Sequence, residues 1–202
     1  MTTMKAGGGG PSSSSRQPGP AGRVAIVGGG IAGLACAKEL QVLGLNPVVF
    51  DTGVHAPGGR CSSRALTVDG TDAGGQPKKQ RLLLDHSAQF LSVPADREAA
   101  MASADAGMRR WLEWVGEMEE KGVLREWDGT RIGTLQRGGK FTPRESKERA
   151  MVGGGGMRAI PEYLAEGIQL DRPKWVSKVK PLADGKGWRL WHYQELIGVR
   201  SV

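Results

Sequence analysis

The sequence predicts an α/β fold that begins with a parallel strand–helix–strand unit, and three observations support this prediction. Residues 23–27 are a short β-branched run that ends at glycines, as buried strands often do. Residues 31–43 combine helix-forming residues with spaced apolar positions, and Gly44 is a natural stop. Residues 47–50 then give a second strand that ends at Asp51. This order, within about 30 residues, is typical of a right-handed βαβ crossover.

The turn between the first strand and the helix matches a dinucleotide-binding pattern. Residues 28–33 read Gly-Gly-Gly-Ile-Ala-Gly and satisfy G-x-G-x-x-G. Gly28 permits the tight turn, Gly30 lets the backbone approach a pyrophosphate, and Gly33 allows the helix and strand to pack closely. The helix N-terminus would then hold the phosphates. Asp51 follows at the position expected for the ribose-binding acid. The alternative is a glycine turn that binds nothing.

The remaining elements are predicted from local patterns and from glycine and proline positions. We expect mostly loops with one weak strand at 52–80, strands at 81–84 and 89–93, a helical region opened by Pro94 and clearest at 108–121, a hairpin at 132–141 around Gly138-Gly139, a short helix at 157–165, and paired strands at 175–182 and 187–191.

Composition and charge exclude several classes of protein. The formal net charge is +7, but the basic residues are interleaved with acidic ones and no nucleic-acid-binding module is visible, so we expect no nucleic-acid partner. The two cysteines form no metal-binding spacing or disulfide framework, and they favour a reducing compartment. No apolar run is long enough to span a membrane. We expect a cytoplasmic protein. A plastid or mitochondrion is the alternative, because residues 1–22 contain serines and lack acidic side chains.

Two further motifs carry a resemblance to a known family. Gly58-Gly59-Arg60 adds a second glycine turn and a guanidinium suited to phosphate groups. With residues 28–33 and Asp51, it resembles the paired motifs of the flavin-containing amine oxidase superfamily, whose members bind FAD. Residues 85–90 resemble the Asp-x-Gly-Ala-Gln-Tyr/Phe segment of renalases, although Ser87 stands where that family usually has glycine.

The resemblance implies an FAD cofactor and a set of contact residues. Residues 175–179 resemble the strand whose valine backbone meets the adenine, and residues 155–157 resemble a glycine turn of the superfamily. The implied cofactor-binding residues are Gly28, Gly30, Ile31, Ala32, Gly33, Asp51, Gly59, Arg60, Gln89, Phe90 and Val176. No residue can be assigned as a catalytic acid or base, and no metal ligands are expected.

The implied activity is FAD-dependent oxidation of a small amine-like or dihydronicotinamide-like molecule by hydride transfer to the flavin. Another FAD enzyme of the superfamily, such as a desaturase, is one alternative. A non-catalytic fragment that binds FAD or nothing is the other.

The implied organisation has four parts along the chain. Residues 1–22, rich in Gly, Ser and Pro, are expected to be a disordered tail. An FAD-binding domain would occupy residues 23–93 and return at residues 151–202, with an inserted substrate-side portion at residues 94–150. Chains of the resembling family continue further, so we expect this chain to be C-terminally truncated.

Overall fold

The computed structural model describes residues 23–193 and 195–201. The tail predicted to be disordered, residues 1–22, lies outside them. The strands are β1 (Arg23–Val27), β2 (Asn46–Phe50), β3 (Ser63–Thr71), β4 (Pro77–Asp85), β5 (Leu91–Pro94), β6 (Leu124–Glu126), β7 (Gly133–Leu135), β8 (Phe141–Pro143), β9 (Glu148–Gly153), β10 (Gln169–Asp171), β11 (Val176–Pro181), β12 (Gly187–His192) and β13 (Glu195–Ser201). The helices are α1 (Ile31–Val42), α2 (Arg97–Ser103), α3 (Ala106–Glu120) and α4 (Ala159–Leu164), with a 3-10 turn at Gly129–Arg131.

The predicted βαβ unit is confirmed. β1 pairs with β2 in parallel, with Val27 opposite Phe50, and α1 makes the crossover between them. β10 pairs in parallel with the other side of β2, which gives the strand order β1-β2-β10. All three strands therefore end at the same edge of the sheet, where Asp51 lies beside the end of β10.

The parallel sheet is covered on both faces, as parallel sheets usually are. On one face, Val49 packs against Ala37 of α1. On the other face, Val48 and Phe50 pack against Leu190 of β12. β12 is the central strand of an antiparallel sheet with the order β11-β12-β13, and its pairing with β11 confirms the predicted hairpin at residues 175–191. Side chains that alternate along β2 thus pack against a helix on one face and against a second sheet on the other.

The main core lies around α3. Leu112, Val115 and Met118 are fully buried on one side of this helix, and they belong to the same cluster as Leu34 of α1 and Ile160 of α4. A three-stranded antiparallel sheet, β5-β9-β6, completes this part of the molecule. The helices therefore connect this sheet to the parallel sheet through a shared apolar cluster.

The predicted helix at residues 108–121 is confirmed as α3. The Asp105 carboxylate accepts a hydrogen bond from the backbone N–H of Met108 at 2.8 Å, which caps the start of the helix. Gly122, at φ +69°, follows its end. The predicted hairpin at residues 132–141 is also confirmed, as β7 and β8.

The prediction of mostly loops with one weak strand at residues 52–80 is only partly right, because β3 is a nine-residue strand and β4, predicted at 81–84, already begins at Pro77. This stretch contains β3 and the first part of β4, which form an antiparallel hairpin with Ser63 opposite Asp85 and Thr71 opposite Pro77. Every residue of β4 is exposed, so the strand has no buried face to impose an alternating apolar pattern. Without that pattern, only the three leucines at 82–84 indicated a strand.

The strand predicted at residues 89–93 starts later than expected. β5 begins at Leu91, so Gln89 and Phe90 precede it, and Pro94 ends this strand instead of opening a helix. The helix α2 begins at Arg97. The preceding residue, Asp96, caps it, because its side chain accepts a hydrogen bond from the first turn of the helix. The proposed domain boundaries after residues 93 and 150 fall inside β5 and β9, which pair with each other. The division into domains stays a prediction.

Candidate cofactor site

The first glycine turn has the backbone geometry that its pattern predicts. Gly28 has φ +106°, and its N–H donates to the Phe50 carbonyl at 2.8 Å. A Cβ on Gly33 would lie 2.0 Å from the Gly28 carbonyl oxygen, so only glycine allows this close packing of helix and turn. A Cβ on Gly30, by contrast, would have no described atom within 4 Å beyond its chain neighbours. The turn is therefore tight on its inner side and open at Gly30.

The open side of this turn coincides with the N-terminus of α1. Gly30 is the N-cap residue, in an extended conformation, and it has no side chain to accept the first N–H groups of the helix. The first helical residues are Ile31, Ala32 and Gly33, none of which is acidic. The free N–H groups and the positive end of the helix dipole favour a bound anion at this position.

Asp51 is tied into the same turn. Its carboxylate accepts hydrogen bonds from the N–H groups of Gly29 at 3.0 Å and Gly53 at 3.2 Å. A Cβ on Gly29 would lie 2.8 Å from the Asp51 carboxylate carbon, which explains why a glycine also stands between Gly28 and Gly30. Each carboxylate oxygen has a second lone-pair position. Asp51 therefore retains acceptor capacity for ribose hydroxyl groups at the end of β2.

The second glycine turn is hydrogen-bonded directly to the first. The Gly58 N–H donates to the Gly29 carbonyl at 2.7 Å. Gly58 and Gly59 have φ values of +128° and +55°. A Cβ on Gly58 would lie 2.6 Å from the Cys61 carbonyl oxygen and 2.7 Å from the Pro161 side chain. The second turn is thus held between the first turn and α4.

The two turns border a cleft of about 650 Å³. Its lining residues are Gly30, Ile31, Ala32, Gly58, Arg60, Cys61, Ser87 and Ala88. The segment at residues 86–88 is brought here by hydrogen bonds from the N–H groups of His86 and Ala88 to the carbonyls of Ser62 and Arg60. The volume lies within the range of about 300–1,000 Å³ that is usual for small-molecule sites.

Arg60 is an exposed cation at this cleft. None of the ion pairs within the described residues involves its guanidinium. A guanidinium that is not already neutralised by a carboxylate can bind phosphate oxygens through paired hydrogen bonds. The cleft therefore presents a helix N-terminus and a free cation.

Two of the predicted contact residues lie beside a different cleft. Gln89 lines a neighbouring cavity of about 540 Å³ together with Asp85, Trp127 and the glycines 153–156. Phe90 packs edge-on against Trp127, with ring centroids 6.3 Å apart. The backbone at residues 85–89 thus separates the two clefts, with Ser87 and Ala88 on one side and Gln89 on the other.

The predicted residue Val176 lies near the Asp51 end of the turn. Its half-buried side chain packs with the cluster of Val48, Phe50 and Leu190. Two residues earlier, the Lys174 N–H donates to the Asp51 carbonyl at 2.7 Å. The start of β11 is therefore held beside the proposed ribose-binding position.

The predicted contact residues do not include four residues of the cleft lining: Gly58, Cys61, Ser87 and Ala88. Gly58, Ser87 and Ala88 lie within the motifs quoted from the sequence, and Cys61 directly follows Arg60, so the motifs themselves were the available signal. Cys61 is buried, and its thiol donates to the Met157 carbonyl at 3.2 Å. Burial, and secondly the charge of Asp85, raises the pKa of this thiol to about 11. The thiol is therefore protonated at neutral pH and is not an activated nucleophile.

Residues 26–105 match the family model of the NAD(P)-binding Rossmann-like domain. Over these residues the chain is similar to a Rossmann-like domain. The match includes both glycine turns and Asp51, so the prediction of a Rossmann-like α/β unit is confirmed. Within the described residues, no helix is long and apolar enough to cross a membrane. Within these residues, no group of three or more His, Cys, Asp and Glu side chains is placed to hold a metal ion.

The solved structures that align with this chain are larger than it. A protein from Photorhabdus luminescens subsp. laumondii TTO1, described as an FAD-containing monooxygenase, aligns with TM-score 0.45 and 14% identity over 90% of this chain and 38% of its own. The Diels-Alderase PyrE3 of pyrroindomycin biosynthesis aligns with TM-score 0.42 and 17% identity over 84% of this chain and 29% of its own. The tetracycline destructase Tet(51) aligns with TM-score 0.42 and 11% identity over 90% and 37%. This chain thus spans less than two-fifths of each, and no curated protein matches it.

Proposed function

We propose that this chain binds FAD and belongs to an FAD-dependent oxidoreductase that oxidises a small molecule by hydride transfer to the flavin. The observation that carries the proposal is the contact of two glycine turns, through the Gly58 N–H and the Gly29 carbonyl, with Arg60 at the cleft that they share. A nicotinamide dinucleotide site needs only the first turn. The second turn adds Gly58 and Arg60 to the lining of the cleft beside the first turn, which supports a larger cofactor.

The residues present fit FAD. The open space at Gly30 leaves room for a pyrophosphate on the N-terminus of α1, and Asp51 has free lone pairs for the ribose. Arg60 would supply a cation for the phosphates, and the backbone of Val176, two residues after the contact of Lys174 with Asp51, would meet the adenine. When FAD is bound, it accepts the hydride and passes the electrons to an acceptor such as O₂. The protein's part is to bind the cofactor, orient it and exclude water from the reaction.

The substrate class is proposed from the resemblance of residues 85–90 to the renalase segment. It favours an amine-like or dihydronicotinamide-like molecule. Gln89 and Trp127 line the cavity next to the cofactor cleft, and we take this cavity as the place where such a molecule would contact the protein. Other FAD enzymes of the superfamily, such as desaturases, are alternatives within the same class of chemistry. For the compartment we propose the cytoplasm, with a plastid or mitochondrion as the alternative.

The second candidate function is binding of NAD(P) itself, without a flavin. The family model matched by residues 26–105 favours it, because that model describes an NAD(P)-binding domain. In this case, Gly58 and Arg60 would have only a structural role.

The experiment that separates these functions is a titration of the purified protein with FAD, FMN, NAD⁺ and NADP⁺. Flavin binding is followed by quenching of flavin fluorescence, and nicotinamide binding by calorimetry. We expect FAD to bind best and FMN to bind poorly, because FMN offers no pyrophosphate or adenosine ribose to α1 and Asp51. Tight binding of NAD⁺ without FAD binding would contradict the flavin proposal. Anaerobic reduction of the FAD-loaded protein by amines and by dihydronicotinamides then tests the substrate class.

A further inference from the structure

Asp85, the last residue of β4, is bonded to a part of the chain that lies 72 residues away. Its carboxylate oxygen Oδ1 accepts a hydrogen bond from the Ser63 hydroxyl at 2.6 Å and another from the Met157 backbone N–H at 2.8 Å. The Ser63 hydroxyl oxygen in turn accepts a hydrogen bond from the Arg158 N–H at 3.1 Å. Asp85 and Ser63 are cross-strand neighbours at the base of the hairpin. Together they hold two successive N–H groups of the turn before α4.

The turn before α4 packs closely against Asp85 and Ser63. Gly156 has φ +84°, and a Cβ at this position would lie 2.6 Å from the Ser63 hydroxyl and 3.1 Å from Asp85 Oδ1. The same Cβ would lie 2.7 Å from the Leu83 side chain. The backbone therefore contacts the hairpin base directly, with no room for an intervening side chain.

Two further contacts connect this turn to the wall of the cofactor cleft. The Met157 carbonyl accepts the hydrogen bond from the Cys61 thiol, and Cys61 lines the cleft. Pro161 of α4 lies against Gly58, whose N–H is bonded to the Gly29 carbonyl of the first glycine turn. A displacement of the turn would therefore move the cleft wall.

Closing the hairpin does not by itself account for this arrangement. Cross-strand pairs further along β3 and β4, such as Thr67 with Arg81 or Asp69 with Lys79, are exposed surface pairs. Only at Asp85 and Ser63 does a pair of the described hairpin have side-chain hydrogen bonds to the turn before α4. A bond from a backbone N–H to a carboxylate is about twice as strong as one between neutral groups.

We propose that Asp85 and Ser63 are positioning residues of the cofactor cleft, which hold the Met157–Arg158 turn so that Cys61 and the second glycine turn form its wall. Neither residue lines this cleft itself, so both act through the turn. The inference rests on the proposed function, because it takes the cleft to be the FAD site.

The test compares FAD dissociation constants for the full chain and four variants. Asp85→Ala removes the acceptor of two hydrogen bonds, and we expect at least about tenfold weaker FAD binding. Ser63→Ala removes one bond to the turn and should weaken binding by about threefold to tenfold. Ser63→Thr restores a hydroxyl and should bind like the wild type. Asp69→Ala, on the same hairpin but away from the turn, is the matched control and should also bind like the wild type.

A second readout follows the wall of the cleft directly. In a Cys36→Ser background, Cys61 is the remaining thiol, and its alkylation rate is measured against pH. Bound FAD should slow this alkylation in the wild type, because Cys61 lines the cleft. In Asp85→Asn, which keeps an acceptor oxygen but loses the charge, the pKa of Cys61 should fall below its wild-type value of about 11, so alkylation at a fixed alkaline pH should be faster. Ser63→Ala keeps the charge of Asp85, so weaker protection of Cys61 by FAD in this folded variant would report a displaced cleft wall and not a change of charge.

The outcomes separate the two proposals. If the wild type does not bind FAD, the proposed function is wrong. If the wild type binds FAD and Asp85→Ala binds equally well, the positioning role is wrong. Should Asp85→Ala fail to fold, the pair Ser63→Ala and Ser63→Thr decides, because equal FAD affinities in these two variants would also overturn the inference.

Discussion

The two walls of the cofactor cleft are built on different parts of the molecule. One wall follows the parallel strands and consists of the glycine turn at 28–30 with Asp51 close behind it. Its strand β2 is buried on both faces. The other wall, at residues 58–61 and 87–88, flanks the hairpin of β3 and β4, and β4 is exposed along its whole length. The first wall is therefore fixed by apolar burial, and the second depends on Cys61 and on polar contacts at the hairpin base.

This difference separates the requirements for folding from the requirements for binding. Apolar substitutions beneath the first wall should affect the stability of the whole unit, since burial is the dominant favourable term in folding. Substitutions at the second wall should affect the cofactor more than the fold. The following predictions test this separation.

The largest effect is expected from removing the buried aromatic ring under the first wall. Phe50→Ala should lower the free energy of unfolding by about 3–5 kcal/mol, because Phe50 is 1% exposed and its loss leaves a cavity between the two sheets. The control is Leu82→Ala on β4, where the side chain is 41% exposed and the cost should be about 0.5 kcal/mol or less. Urea unfolding measures both. Similar losses in the two variants would mean that the hairpin is as well packed as the sheet.

A substitution at the open side of the first turn should abolish binding and spare the fold. Gly30→Val places a branched side chain where the pyrophosphate would approach, while no described atom beyond the chain neighbours lies within 4 Å of the new Cβ. We expect no measurable FAD binding together with a nearly unchanged unfolding midpoint. Gly129→Val, at another glycine with open space around it, is the control and should bind FAD normally. If Gly30→Val binds like the wild type, the glycine turn is not the phosphate site.

Arg60 should contribute to binding without contributing to stability. A charge-assisted hydrogen bond to phosphate is worth about 1.5–3 kcal/mol, so Arg60→Ala should weaken FAD binding by about 10- to 150-fold. The remaining affinity should depend less on salt, because one exposed charge has been removed. Arg64→Ala, four residues further on and also exposed, is the comparison. Equal dissociation constants for Arg60→Ala and wild type at low and moderate salt would make Arg60 an ordinary surface residue.

The smallest effect at neutral pH concerns the buried thiol of the second wall. The pKa of Cys61 is raised from 9.0 to about 11 in the folded protein, so the unfolded chain loses this proton first as the pH rises. Stability should therefore be unaffected by this group below about pH 9 and should fall between about pH 9 and 11, with a slope of at most about 1.4 kcal/mol per pH unit. Cys61→Ala should lack this component. Parallel stability profiles for the two proteins in that range would show that the thiol ionises equally in both states.

Local sequence signals could predict the first wall because they have local causes. Gly28 and Gly33 are required by contacts within the turn itself, and Asp51 lies at the end of the strand that the same unit contains. The exact position of Asp51 against Gly29 could not be predicted, although it explains why position 29 is a glycine.

The second wall and its surroundings depend on contacts between distant segments. The strand β9 was not predicted, because it contains the charged residue Arg149. The charge of Arg149 is balanced by Glu119 and Glu126, which lie on two other elements. Likewise, Gln89 lies beside the second cavity because of the path of the backbone from Asp85, which is fixed by the turn at Met157. Such pairings have no pattern in the sequence near them.

The pairing of β2 with β10 has a consequence for the order in which the molecule assembles. β1, α1 and β2 are consecutive in the chain, whereas Val48 must meet Gln169, about 120 residues later. Closing so long a loop costs more chain entropy than closing the short βαβ crossover, and contacts of large sequence separation slow folding. We therefore expect the glycine turn at Gly28–Gly30 to form early. The hydrogen bond from the Lys174 N–H to the Asp51 carbonyl forms only once β10 has docked. The part of the cleft proposed for the adenosine should therefore form after the part proposed for the pyrophosphate.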